Sequence, residues 1–232
     1  MKISIFNGSP KIKTSNTKIL LEKFTEGFME TPGNSFEISY LCANDNDAAV
    51  NKKMIKESEA VIVAFPLYAD AMPAKVKILL ESLKDMKGKK NNPPMGFIVQ
   101  SGFPEGIHSS YVEKYLKKFC VRLGCLYLGT IIKGGVEGIQ IMPPSMTKKL
   151  FADFKELGRI FGKTEYLDKA IIAKMKLPYR INPMTFPLLW LVKATGLGDF
   201  YWNNWLKRNK AFEKRFDKPY EAGPKAQSPE FK

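Results

Sequence analysis

Ala60-Val61-Ile62-Val63-Ala64-Phe65, closed by Pro66, is an unbroken apolar run of strand length. A strand with one wet face alternates apolar and polar residues. A continuous run needs cover on both faces, as inside a parallel sheet flanked by helices. Outward from this run the pattern repeats. Met1 to Phe6 (MKISIF) is a short apolar strand ending in the turn signal Asn7-Gly8-Ser9-Pro10. Ile19, Leu20, Lys23, Phe24 and Phe28 recur at three and four, a helix stopped by Pro32-Gly33-Asn34. Phe36 to Leu41 alternates as a strand, and a short helix is predicted over about 50–57. On the other side, residues 73–86 read as a helix with Pro73 in its first turn. Strands at Met95–Gln100 and Tyr127–Lys133 alternate with helices over about 110–123 and 145–161. Five β-α units in about 160 residues predict an α/β fold, a doubly wound parallel sheet with right-handed crossovers.

Residues 163–232 read differently, with no good strand. Tyr166, Leu167, Ile171, Ile172 and Met175 suggest a helix ending before Pro178, and Pro187–Val192 is apolar. Asp199 is a candidate cap for a helix over about 200–216, where Tyr201, Trp205, Phe212 and Phe216 share a face. The expected organisation is therefore a domain over 1–162 and a helical C-terminal extension over 163–232. The chain has 232 residues, 44% hydrophobic and 26% charged, a globular balance that can bury a core without disulfides or metal.

Charge narrows the function classes. The net charge of +14 divides into +5 over residues 1–142 and +9 over 143–232. That field favours anionic ligands, nucleic acid or acidic lipid, and argues against a small acidic electron carrier. Cys42, Cys120 and Cys125 cannot pair completely and include no CxxC. With no signal peptide, they point to a reducing, cytoplasmic setting. One histidine, His108, and the cysteine spacing exclude a structural zinc site.

In an open parallel sheet, ligands bind beyond the carboxyl ends of the strands. Gly8-Ser9-Pro10-Lys11-Ile12-Lys13-Thr14-Ser15-Asn16-Thr17 runs from the first strand into the first helix. Its hydroxyls, lysines and free N–H groups at a helix N-terminus make a phosphate cradle. It is neither a Walker loop nor a GxGxxG fingerprint, and a plain Ser/Asn/Thr helix cap is the competing reading. Phe65 to Pro73 offers Tyr68, aliphatic side chains and exposed backbone suited to a flat ring, or simply a hydrophobic turn. Ser101-Gly102-Phe103-Pro104-Glu105-Gly106-Ile107-His108 has glycines that permit close backbone approach. His108 reads as a cap or surface residue, and Cys120 and Cys125 as core or surface thiols.

Together GSPKIKTSNT, VIVAFPLYADAMPAKVKILLESL and FIVQSGFPEG resemble the flavodoxin-like NAD(P)H-dependent FMN reductase family, which includes the iron–sulfur flavoproteins. The resemblance covers about 1–160 and implies a five-stranded sheet in the order 2-1-3-4-5. It implies that Ser9, Lys11, Ser15, Asn16 and Thr17 hold the FMN phosphate. Pro66, Leu67, Tyr68 and Ala69 would line the isoalloxazine, with Ser101, Gly102, Phe103 and Glu105. NAD(P)H would be the co-substrate, and the extra phosphate of NADPH suits the basic surface. Lys11 replaces the usual arginine, keeping its charge but losing the planar fork, and Ser15 stands where glycine is frequent.

After the second strand, where the iron–sulfur members carry a cysteine cluster, only Cys42 is present, too few for the four ligands of a cluster. The implied activity is an oxidoreductase with no assigned catalytic acid, base or nucleophile, because the cofactor supplies the chemistry. Its acceptor would be a flavin, quinone, azo or nitro compound, metal ion or protein. The family often dimerises, so the extension with Trp190, Trp202 and Trp205 has two readings, a homodimer contact or lid over the flavin, and helices that simply pack against their own domain. Lys207, Arg208, Lys210, Lys214 and Arg215 also suit peripheral membrane docking. The competing classes are a flavin-binding carrier or sensor without turnover and a basic nucleic-acid- or anion-binding module. The latter lacks an RNP-type strand motif or helix-turn-helix.

Overall fold

Every residue of β3 (Ala60–Pro66) is buried, and its alternate side chains enter different cores. Val61, Val63 and Phe65 join one apolar cluster, Ala60, Ile62 and Ala64 the other. The strand is thus covered on both faces, which is why its sequence shows no polar alternation. The computed structural model describes residues 1–44, 46–196 and 199–218. With β1 (Lys2–Asn7), β2 (Ser35–Tyr40), β4 (Met95–Gln100) and β5 (Tyr127–Lys133), β3 forms one parallel sheet. The order is β2-β1-β3-β4-β5, the flavodoxin-like order. β2 is the partly exposed edge and accordingly alternates in burial.

Helices α1 (Asn16–Phe28) and α5 (Pro144–Thr164) contribute Phe24, Phe28, Phe154 and Phe161 to the core on one face of the sheet. On the other, α2 (Ala48–Lys56), α3 (Ala74–Ser82) and α4 (Ser110–Leu123) supply Ile55, Val76, Leu80 and Leu116. A further helix, α6 (Lys169–Met175), adds Met175 to the first of these cores, as does the preceding Leu167.

The chain divides into two compact units, Met1–Ile181 and Asn182–Lys232. The expected boundary at 162/163 falls inside α5, and α6 belongs with the sheet because Leu167 and Met175 are buried in its core. The second unit contains α7 (Phe186–Ala194) and α8 (Phe200–Arg208). The helix predicted over 200–216 stops at Arg208. Lys210 takes a left-handed conformation (φ 54°), and a separate 3-10 turn covers Phe212–Lys214. Asp199 makes no side-chain capping bond, in contrast to the sequence expectation. No helix among the described residues is long and apolar enough to cross a membrane.

The contact between α1 and α5 is backbone against backbone. A Cβ added to Gly27 would lie 1.8 Å from the Lys155 carbonyl oxygen, and one added to Gly158 would lie 1.8 Å from that of Phe24. Each glycine therefore admits the other helix. In an exposed helix, Gly→Ala gains about 1 kcal/mol of propensity. Here overpacking wins, and Gly158→Ala is expected to lower stability by a net ~1–3 kcal/mol. Urea unfolding would show a lower midpoint with an unchanged slope.

Candidate functional site

Because the sheet is parallel, the loops leaving β1, β3, β4 and β5 all emerge at one edge. After β1 the chain turns sharply. Ile12 is left-handed (φ 46°), and its N–H donates to the Ser9 carbonyl at 3.0 Å. Ser15 caps α1, its Oγ accepting from the Lys18 N–H at 3.1 Å and donating to the Ile12 carbonyl at 2.7 Å. The N–H groups of Asn16 and Thr17 stand in the first turn of α1, where no intrahelical acceptor exists. Ser9, Ser15 and Thr17 are buried and Lys11 is exposed beside them. The Asn16 side chain is turned elsewhere, its Nδ2 donating to the Val136 carbonyl at 2.8 Å.

After β3, Pro66 and Leu67 are buried, so of this segment Tyr68 and Ala69 are the residues presented outward. Leu67 N–H donates to the Gln100 carbonyl (2.8 Å), and Gln100 Nε2 donates to Thr17 Oγ1 (3.3 Å), tying β3, β4 and α1 together. Tyr68 and Ala71 exchange backbone hydrogen bonds of 3.0 and 2.9 Å around Ala69 (φ 45°) and Asp70 (φ 58°). Two left-handed central residues make the turn type that glycine and asparagine ordinarily occupy. Ala69 holds it at a conformational cost. Partial desolvation, and then the charges of Glu137 and Cys42, raise the Tyr68 phenol above its ordinary pKa, further from ionising than a free phenol, which is itself protonated at neutral pH.

His108 connects the second loop to the third. Its Nδ1 lies 3.4 Å from Asp70 Oδ1, its Nε2 lies 3.5 Å from Glu105 Oε2, and its ring packs 4.7 Å from that of Phe103. Within the third loop, Ser101 Oγ donates to the Phe103 carbonyl at 3.0 Å, and Gly102 is exposed. The other carboxylate oxygen of Glu105 accepts from the Ile181 N–H at 2.7 Å, so this side chain fastens the chain that follows α6. Cys120 and Cys125 lie away from these loops, at the end of α4, against the core.

The fourth loop, after β5, escaped the sequence reading. Val136 N–H donates to the Ser101 carbonyl (3.1 Å), and Gly135 N–H donates to that of Phe103 (2.9 Å). Gln140 Nε2 donates to Thr14 O and Asn16 Oδ1 at 2.8 and 2.9 Å. The loop therefore braces the first and third loops, and it brings Glu137 toward Tyr68. The Gly134-Gly135 pair directly after an apolar strand was the available signal, the same signal that marked Gly102.

A doubly wound sheet with its functional loops gathered at the strand ends is the flavodoxin-like arrangement. Residues 1–132 match the family described as NADPH-dependent FMN reductase, and the chain belongs to that family, an oxidoreductase family that uses FMN. No curated protein matches the chain. Many solved structures share the fold, among them three with the following likeness. An NAD(P)H:quinone oxidoreductase from Methanothermobacter marburgensis is 17% identical over 69% of this chain and 96% of its own, with a TM-score of 0.54. General stress protein 14 from Treponema denticola, in complex with FMN, is 14% identical over 68% and 98%, at 0.53. An azoreductase from Bacillus anthracis is 14% identical over 70% and 98%, also at 0.53.

The residues present fit FMN. Asn7 Nδ2, at the end of β1, is a buried donor with no partner among the described residues, next to the buried Ser9 hydroxyl. Unpaired donors at a helix N-terminus, with Lys11 and Lys13 nearby, are what a phosphate monoester requires.

The strain in the second loop gives a direct test. Ala69→Val is expected to destabilise the protein by ~1 kcal/mol, because β-branching adds to the left-handed penalty that alanine already carries. Ala69→Gly should leave stability level or higher by thermal unfolding, and a loss in the glycine variant would contradict the turn geometry.

Proposed function

We propose that this chain passes reducing equivalents from NAD(P)H through FMN to a small-molecule acceptor of the quinone or azo type. The observation that carries this reading is the meeting, at one sheet edge, of a donor-rich helix N-terminus and two loops with aromatic side chains and exposed backbone. The structural neighbours, a quinone oxidoreductase and an azoreductase, support the acceptor class. When bound, FMN supplies the two-electron chemistry between nicotinamide and acceptor.

The protein's own contribution is binding and orientation. Ser9, Ser15 and the N–H groups of Asn16 and Thr17 receive the phosphate, while Lys11 lowers its charge penalty. Tyr68, Ala69, Ser101, Gly102 and Phe103 flank the ring. The protonated Tyr68 phenol is a donor at this edge. Backbone N–H groups there would favour the reduced, more negative state of the ring.

Anaerobic titration of the FMN-loaded chain with NADPH and NADH tests the reading, and bleaching of the flavin band by either nucleotide is the expected result. Retained flavin that neither nucleotide reduces would make the protein a carrier or sensor. Lys11→Ala is expected to weaken FMN about tenfold, the scale of one lost charge-assisted hydrogen bond, and to leave riboflavin binding unchanged. Equal weakening of both would remove Lys11 from the phosphate site.

For the second unit we propose peripheral docking on an anionic bilayer. Trp190, Trp202 and Phe216 are exposed, and Arg208 and Arg215 stack on the Trp205 and Phe216 rings. Aromatic rings beside cations suit the headgroup boundary of acidic lipid. Sedimentation with phosphatidylglycerol vesicles, but not phosphatidylcholine vesicles, is the expected result. A dimer that forms without lipid and loses vesicle binding would instead assign this face to a second copy of the chain.

A further inference from the structure

Beyond the end of β5, offset from the first and second loops, a cavity of about 840 Å³ opens between α5, α6 and the fourth loop. Ile139, Met142, Leu150, Met175 and Leu177 supply apolar walls, and Pro104 of the third loop closes one side. Volume and lining both fall in the range of sites for small organic molecules.

The charges are unbalanced. Lys133, Lys149 and Lys174 line the cavity with one carboxylate, Asp153. That carboxylate is committed to Lys174 at 2.7 Å. Lys133 is half-buried at the last position of β5, and among the described residues its ammonium has no hydrogen-bond or ion-pair partner. Desolvation pulls its pKa below the ordinary lysine value; the Asp153 charge opposes this in part, and Lys149 adds to it. A cation taken partly out of water, with only a carboxylate already paired to Lys174 to offset it, is costly, and an anionic ligand group at this point would lower the cost.

We propose that this cavity is a second ligand site, which takes an amphipathic organic anion. The anionic group, whether carboxylate, sulfonate or phosphate, sits on Lys133 with Lys149 at the mouth, and an apolar chain or ring lies along Met142, Leu150 and Met175. The site is separate from the FMN cradle and does not depend on the redox reading. Its wall is nevertheless the third loop. Pro104 lines the cavity, while Phe103 accepts the Gly135 N–H and packs against His108. The occupant therefore touches the segment next to the candidate ring-binding residues.

Calorimetry with decanoate, held below its micellar concentration, tests the proposal on the full chain with and without FMN. One decanoate per chain is expected, with at least tenfold weaker binding of decyltrimethylammonium, which has the same chain and the opposite charge. Lys133→Met keeps the volume and removes the buried charge, so it should fold at least as stably as the parent and bind decanoate at least tenfold more weakly. Methyl resonances of Met142 and Met175 should shift on decanoate addition in the parent. Equal affinity for the two amphiphiles, undiminished binding in Lys133→Met, or unmoved Met142 and Met175 methyls would each overturn the site. Competition between decanoate and FMN would overturn its separateness, whereas failure of NAD(P)H to reduce bound flavin would leave it standing.

Discussion

The backbone contact of α1 with α5 is the constraint on which the remaining geometry depends. Gly27 and Gly158 let each helix meet the other's carbonyl groups, and Phe24, Phe28 and Phe161 then pack around the crossing. Closely packed interiors transmit displacement rather than absorb it. The position of α1 therefore sets where its N-terminus points, and that N-terminus is the donor-rich end of the candidate phosphate cradle. Bulk at the crossing would push α1 away from β1 and β3 and carry Ser15, Asn16 and Thr17 with it.

At the sheet edge, rigidity comes from hydrogen bonds that run between loops rather than within them. Gln100 links β4 to Thr17 and to Leu67. His108 stands between Asp70 and Glu105, and the fourth loop holds Phe103 through Gly135, Ser101 through Val136, and Asn16 through Val136 and Gln140. Each loop is held by its neighbours, so a strained turn such as Ala69-Asp70 is maintained by its surroundings. Preorganisation of this kind suits a site in which a cofactor does the electron chemistry and the protein supplies position. The cavity at β5 shares one wall with this assembly, through the third loop.

Several features were legible because they follow from local chemistry. A strand covered on both faces is largely apolar, so the unbroken run of β3 points to a parallel sheet, and the resemblance supplies its order. Ser15 read as a helix cap and is one. Other features depend on partners distant in sequence. Asn16 belonged to a motif whose side chains were expected at the phosphate, yet its amide reaches across 120 residues to Val136. Glu105 was expected at the ring, but one of its oxygens holds Ile181. The domain boundary was drawn where strands cease, whereas Leu167 and Met175 continue the core past it.

Periodicity and composition by themselves determined the fold class, the run of strands and helices, and the loop that leads into the capped N-terminus of α1. They could do so because burial pattern and capping are properties of neighbouring residues. The tertiary structure alone decided that the loop after β5 joins the site, that His108 bridges two others, that α6 completes the first unit, and that Lys133 lines a cavity whose one carboxylate is paired with Lys174. Those outcomes rest on contacts between segments many residues apart. Such contacts arise only when the sheet assembles and brings the ends of its strands to one edge.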